Sequence, residues 1–141
     1  LRGIMPNTFT HIFEALQGQD AKTQFLVKAS FIEVYMDDIY DLLSKGAART
    51  KMELKRDRDK GVYVKDVHTE VAKDPQDLFR ILSEGQAQRK VGETDMNKGS
   101  SRSHSIFTIV VESSTENEDG SFSYRQGACG RSCRTCVYRV V

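Results

Sequence analysis

The segment Asn97-Lys98-Gly99-Ser100-Ser101-Arg102-Ser103-His104-Ser105 packs serine hydroxyls, an amide, a guanidinium and an imidazole into one short stretch. Directly after it comes Ile106-Phe107-Thr108-Ile109-Val110-Val111, an apolar, β-branched run that reads as a buried strand. A polar loop anchored at a strand edge presents hydroxyls and backbone N–H groups in a fixed geometry. Such a loop suits the oxygens of a phosphate and the magnesium ion beside them. By residue type alone the segment also fits a solvated turn, or a phosphorylation site next to Arg102.

The elements that must hold this loop are legible on either side. Asp74-Pro75 predicts a helix start, with Asp74 as N-cap, Pro75 in the first helical position and Asp77 in the first turn. Leu78, Ile81 and Leu82 form its apolar stripe; Gly85 is expected to weaken the helix and Gly92 to lie where it unwinds toward the loop. Beyond the Ile106–Val111 strand, Glu116 to Gly120 predicts an acidic hairpin turn, with Phe122-Ser123-Tyr124 pairing back onto that strand. Earlier in the chain, Pro6 is placed at a helix N1 position and followed by Phe9, Ile12, Phe13 and Leu16 at helical spacing, with Gly18 ending the helix. Phe25 to Tyr35 reads as a central strand interrupted only by Lys28 and Glu33, where Glu33 is expected to be a hydrogen-bonded structural carboxylate at the sheet end. A turn is predicted at Asp37-Asp38, a short apolar segment at Ile39 to Leu43, and short strands at Met52–Lys55 and Val62–Lys65.

At 141 residues the chain is one domain's worth of sequence, with no apolar run near the roughly 20 residues of a membrane span. The formal charge is +1, yet the stretch from Arg125 onward holds four arginines and no acid, which leaves the preceding residues at about −3. That distribution excludes a general nucleic-acid binder and confines any contact with a polyanion to a local patch. The body before the tail contains no cysteine, which fits a reducing compartment. Leu1 begins mid-pattern without an initiator methionine, so the sequence is expected to be a fragment.

The motifs carry a family resemblance. Asn97-x-x-Ser100-Ser101-Arg102-Ser103-His104 followed by a strand resembles the switch I loop of kinesin motor domains. Gly3-Ile4-Met5-Pro6 with Phe9 to Phe13, then Ser30-Phe31-Ile32-Glu33-Val34-Tyr35 with Asp38 to Leu43, resemble two further blocks of that family; Gly61 to Asp66 resembles its next strand, in the style of the kinesin-2 branch. The blocks occur in family order and cover residues 1 to about 124. The resemblance implies an α/β fold, namely the central part of a P-loop NTPase-type mixed sheet with flanking helices over residues 1–127. Residues 128–141 are then a divergent tail.

The same resemblance implies ATP and Mg²⁺ as cofactors, with Ser101 in the magnesium and γ-phosphate shell. Ser100 and Asn97 would help place the attacking water, and Arg102 would close a salt bridge onto a switch II glutamate. Ser103 is expected to lean toward the strand and matter less, His104 to make a structural hydrogen bond, and Lys98 and Gly99 are assigned nothing. No Gly-x-x-x-x-Gly-Lys-Ser/Thr loop and no Asp-Leu-Ala-Gly-Ser-Glu motif appears in the chain. In a kinesin they are expected upstream of Leu1 and after the strand that starts near Phe122. This chain alone is therefore expected neither to bind ATP tightly nor to hydrolyse it, since positioning supplies nearly all of such catalysis.

Lys51, Lys55, Arg56, Arg58 and Lys60 lie in the segment that resembles the microtubule-facing loop, and tubulin's acidic surface is the partner the resemblance implies. Glu53, Asp57 and Asp59 interleave with them, so an ordinary salt-bridged hairpin is the competing reading. A whole protein of this kind would be dimeric through a coiled coil, without membrane insertion, and would reside in the cytoplasm on the microtubule cytoskeleton or in the cilium. Two readings of other classes stand beside the motor: a non-enzymatic microtubule-binding or interaction module, and a Cys-rich zinc protein using Cys129, Cys133 and Cys136 with His104. Zinc knuckles, however, use paired Cys-x-x-Cys spacings. The Cys/Arg-rich tail is itself expected to be translated non-coding or frame-shifted sequence.

Overall fold

A computed structural model describes residues 4–18, 21–44, 46, 50–58, 61–95 and 103–126. Two long strands dominate it. β1 (Thr23–Tyr35) and β7 (Ser103–Glu116) pair antiparallel along their whole length, from Thr23 opposite Thr115 to Tyr35 opposite Ser103. The other edge of β1 is shared: Val27–Ala29 near its middle pair with β6 (Glu70–Ala72) and its last four residues with β2 (Asp38–Asp41). β3 (Lys51–Met52) extends the sheet beyond β2, and β8 (Phe122–Gln126) extends it beyond β7. β4 (Leu54–Asp57) and β5 (Gly61–Val64) form a separate two-stranded hairpin. The expected α/β architecture is present, and every strand pairing among the described residues is antiparallel.

Period-2 alternation decides which side of the sheet is inward. Val27, Ala29 and Phe31 of β1 and Phe107, Ile109 and Val111 of β7 are all buried, whereas their alternate neighbours are half-buried or exposed. Two helices cover the inward face, α1 (Ile4–Gln17) and α2 (Pro75–Asp95). Phe9 of α1 sits between Phe79 of α2, at 5.2 Å in an edge-to-face contact, and Phe107 at 5.5 Å; Phe107 in turn meets Phe31 edge-on at 5.3 Å. This aromatic chain ties both helices to both long strands, and Leu78 and Ile81 complete it from α2 with no exposed surface at all. On the opposite face the Lys28 ammonium donates to Glu112 at 2.8 Å, which accounts for the cation in the middle of the strand.

Several boundaries differ from the sequence reading, each for a local reason. Pro6 is the third residue of α1 rather than its first, still within the turn whose N–H groups have no helical acceptor. The first hairpin turns on Met36-Asp37, both at positive φ (47° and 69°), and Asp38 already belongs to β2. β8 pairs with Glu112–Glu116 rather than with Ile106–Val111, because the turn after Glu116 closes tightly: Asn117 N–H donates to the Ser121 carbonyl at 2.8 Å, and Gly120 adopts φ +77°.

α2 starts as expected. Asp77 N–H donates to Asp74 Oδ1 at 2.8 Å, and Lys73 N–H donates to Asp77 Oδ2 at 2.9 Å. The Lys73 bond is the main cause of an Asp77 carboxyl held below its ordinary value. A depressed carboxylate contributes stability that is present above its unfolded pKa and is lost as pH falls through the lower folded value, so this cap weakens only in acid. The helix continues through Gly85 and does not unwind at Gly92 but runs on to Asp95. Gly85 is a close-packing position: a Cβ there would lie 2.1 Å from Phe31 Cδ1 and 2.8 Å from Cε1.

Candidate functional site

The loop residues Asn97, Ser100, Ser101 and Arg102 lie outside the described residues, as do Lys60 and the cysteine tail. The described structure supplies the two stems of that loop, the end of α2 and the start of β7, and shows how they are joined. On α2 the inward stripe runs through Leu78, Ile81 and Gly85, and four residues further on it presents Arg89. On β1 the inward face runs through Phe31 to Glu33, with Ser105 of β7 directly opposite Glu33 and Ser103 one step diagonally away. One helical turn advances about 6 Å and two strand residues about 6.6 Å, so Gly85 against Phe31 brings Arg89 level with Glu33.

Arg89 uses its whole fork at this point. Nε donates to Glu33 Oε1 at 3.3 Å, Nη1 to Ser105 Oγ at 3.3 Å, and Nη2 to Ser103 Oγ at 3.2 Å and the Ser103 carbonyl at 3.5 Å. The Ser103 hydroxyl donates to Glu33 Oε1 as well. Glu33 is only 3% exposed, so a carboxylate there requires a cation, and the guanidinium of Arg89 supplies it. Glu33 is thus the structural carboxylate the sequence suggested. Its partner Arg89 was not singled out, although a charged residue continuing an apolar helical stripe beside a buried acid is the signal that would have found it. Ser103 does lean toward the sheet, but it is a working part of this cluster rather than a bystander. His104 points to the other face, exposed, and no hydrogen bond joins it to another described side chain.

The basic segment is divided. Lys51 belongs to β3 at the edge of the main sheet, and its ammonium contacts Asp38 at 2.5 Å. Their hydrogen bond holds the Lys51 pKa above and the Asp38 pKa below its ordinary value. Lys55 pairs with Glu53 at 3.3 Å in an exposed contact of the kind worth about 0–1 kcal/mol. Among the described residues neither Arg56 nor Arg58 forms an ion pair. Arg56 shares a face of the β4–β5 hairpin with Leu54, Val62 and Val64, while Lys55 shares the other with Tyr63. Leu54 and Val62 are each more than half exposed, so this hairpin presents apolar groups beside its arginines. Lys51 and Lys55 are thus salt-bridged, whereas Arg56 and Arg58 are exposed and without an ion pair among the described residues.

Among the described residues no cluster of His, Cys, Asp or Glu is arranged to hold a metal ion, and no helix is long and apolar enough to cross a membrane. The family model of the kinesin motor domain matches residues 1–130. The chain belongs to the kinesin motor domain family. It is 42% identical over 127 residues to the kinesin-like protein KIF3C of Mus musculus and equally to that of Rattus norvegicus, covering 90% of this chain and 16% of each relative. The kinesin segment thus spans about a sixth of the length of the curated relatives it matches. A solved structure of a fast kinesin superposes with a TM-score of 0.77 at 32% identity, covering 89% of this chain and 34% of that one. In this kinesin the switch-like sequence is the covalent link between the two elements that Arg89 joins.

Proposed function

We propose that this kinesin segment is the part of an ATP-driven microtubule motor that senses the γ-phosphate and carries one contact to the track. The family binds ATP and Mg²⁺, and the donors of the loop suit both. Hydroxyl and amide oxygens from Ser101, Ser100 and Asn97 match the oxygen ligands that magnesium prefers, and Arg102 complements phosphate or carboxylate charge. When bound, magnesium neutralises charge on the transferring phosphoryl group. Ser101 would hold that ion through its hydroxyl, Ser100 and Asn97 would help place the attacking water, and Arg102 would pair with a switch II carboxylate. The observation that carries this reading is the eight-residue pattern from Asn97 to His104, which follows α2 and runs into the first two residues of β7. On the same reading the whole protein is a dimer that works in the cytoplasm on the microtubule cytoskeleton, and in the cilium through its kinesin-2 character.

Track contact is assigned to the β4–β5 hairpin and the turn beyond it. Its test uses a motor domain that carries residues 1–126 of this chain between flanks taken from mouse KIF3C. Reversing the charge of Arg56, Arg58 and Lys60 together is expected to weaken microtubule affinity at low salt about tenfold or more. Exposed charges are screened over about 8 Å at physiological ionic strength, so the difference shrinks as salt rises. Co-sedimentation across a salt series reads both effects. Equal affinity at low salt would return the segment to the role of an ordinary hairpin.

A further inference from the structure

We infer that Arg89, Glu33 and Ser103 form a positioning clamp that fixes the separation of the two ends of the Asn97–Arg102 loop and so sets its catalytic geometry. The inference rests on the reading of that loop given above. A buried carboxylate needs one cation, and the Nε bond to Glu33 Oε1 already provides it. The remaining guanidinium nitrogens go elsewhere: Nη1 to Ser105 Oγ, Nη2 to the hydroxyl and the backbone carbonyl of Ser103. Ser103 is the residue that immediately follows Arg102, while Arg89 is joined to the other end of the loop by continuous helix to Asp95. The guanidinium therefore bridges one stem to the other, and Glu33, planted on the central strand, fixes the guanidinium in plane. Gly85 makes the reach possible by letting α2 close onto Phe31 one turn earlier. Holding both ends of a short loop removes conformers in which its hydroxyls miss their targets, which is the support a precise constellation requires.

A clamp of this kind acts on the chemical step more than on nucleotide capture, and that separates it from a merely structural ion pair. In the motor domain carrying residues 1–126 between mouse KIF3C flanks, Arg89→Lys and Glu33→Gln are each expected to lower kcat about 10- to 100-fold. KM for ATP and ATP affinity should stay within about threefold. Because the two groups act as one unit, the double variant should be no more than about threefold worse than the poorer single variant. Gln86→Ala, on the exposed side of the same helix, should match the unaltered protein. In the full 141-residue chain, Glu33→Gln should speed amide exchange at Ser103 to Ser105 selectively, leaving Val27 to Phe31 protected. Where Arg89→Lys or Glu33→Gln does not fold, Ser103→Ala and Ser105→Ala leave the buried ion pair in place and should show the same kcat-against-KM split in milder form.

Three results would overturn the clamp: unchanged kcat in folded variants, loss of ATP affinity in proportion to kcat, or uniform acceleration of exchange across the sheet. Ser101→Ala measured alongside keeps the two ideas apart. Normal turnover in Ser101→Ala means the loop reading has failed. Abolished turnover in Ser101→Ala beside normal turnover in Arg89→Lys and Glu33→Gln means that only the clamp has failed.

Discussion

Ser101→Ala, in a motor domain completed around this segment, is expected to lower ATP turnover at least about a hundredfold while ATP affinity changes little. The loss is of the order seen when one positioned donor is removed from a transition-state site, roughly 3 kcal/mol. Ground-state affinity comes mainly from the phosphate-binding loop, so removing a hydroxyl that acts on the γ-phosphate shell and its water penalises the transition state selectively. Switch loops of this class become ordered through γ-phosphate and magnesium contacts and relax after hydrolysis, so the same change should uncouple nucleotide state from track affinity. Steady-state turnover, nucleotide affinity and microtubule co-sedimentation in the two nucleotide states decide it. Normal turnover would mean that the segment is a polar turn and nothing more. Ser103→Ala does not serve as a neutral comparison, because its hydroxyl bonds both Glu33 and Arg89.

Gly85→Ala is expected to destabilise the chain by about 1–3 kcal/mol, against the usual sign for such a change in a helix. In an open helix, alanine is better than glycine by about 1 kcal/mol. Here the added methyl would sit 2.1 Å from Phe31 Cδ1, far inside contact distance. Phe31 has no room to withdraw, since it is 3% exposed and braced edge-on by Phe107. Overpacking wins over propensity, and Gly85→Val should be worse again. The mechanism has a specific rescue: Phe31→Leu shortens the offending side chain, so Gly85→Ala combined with Phe31→Leu should lose less than the two single changes predict together. Urea or thermal unfolding of the four proteins reads the cycle. Strict additivity would mean that the helix sits further from the strand than the packing indicates.

Much of this protein was legible without coordinates. The two helices, the two long strands, the presence of short strands in the basic segment and the family all follow from local signals: Asp74-Pro75 at a helix start, apolar alternation along Val27–Phe31 and Phe107–Val111, and the spelled-out loop pattern. Such signals survive because capping, periodicity and turn chemistry act within a few residues, and neighbours in sequence suffice to reveal them. What the sequence left open were relations between distant residues. Gly85 reads locally as a weak point in a helix, and only its approach to Phe31, 54 positions away along the chain, turns it into a packing requirement. Lys51 and Arg56 belong to one basic run in sequence, but the strand break at Glu53 sends one to the main sheet beside Asp38 and the other to a free hairpin. Glu33 announced a buried acid without naming its cation. That choice fell to tertiary structure, because the Arg89 fork reaches Glu33 and Ser103 only when the helix lies across the strand at the spacing a missing side chain permits.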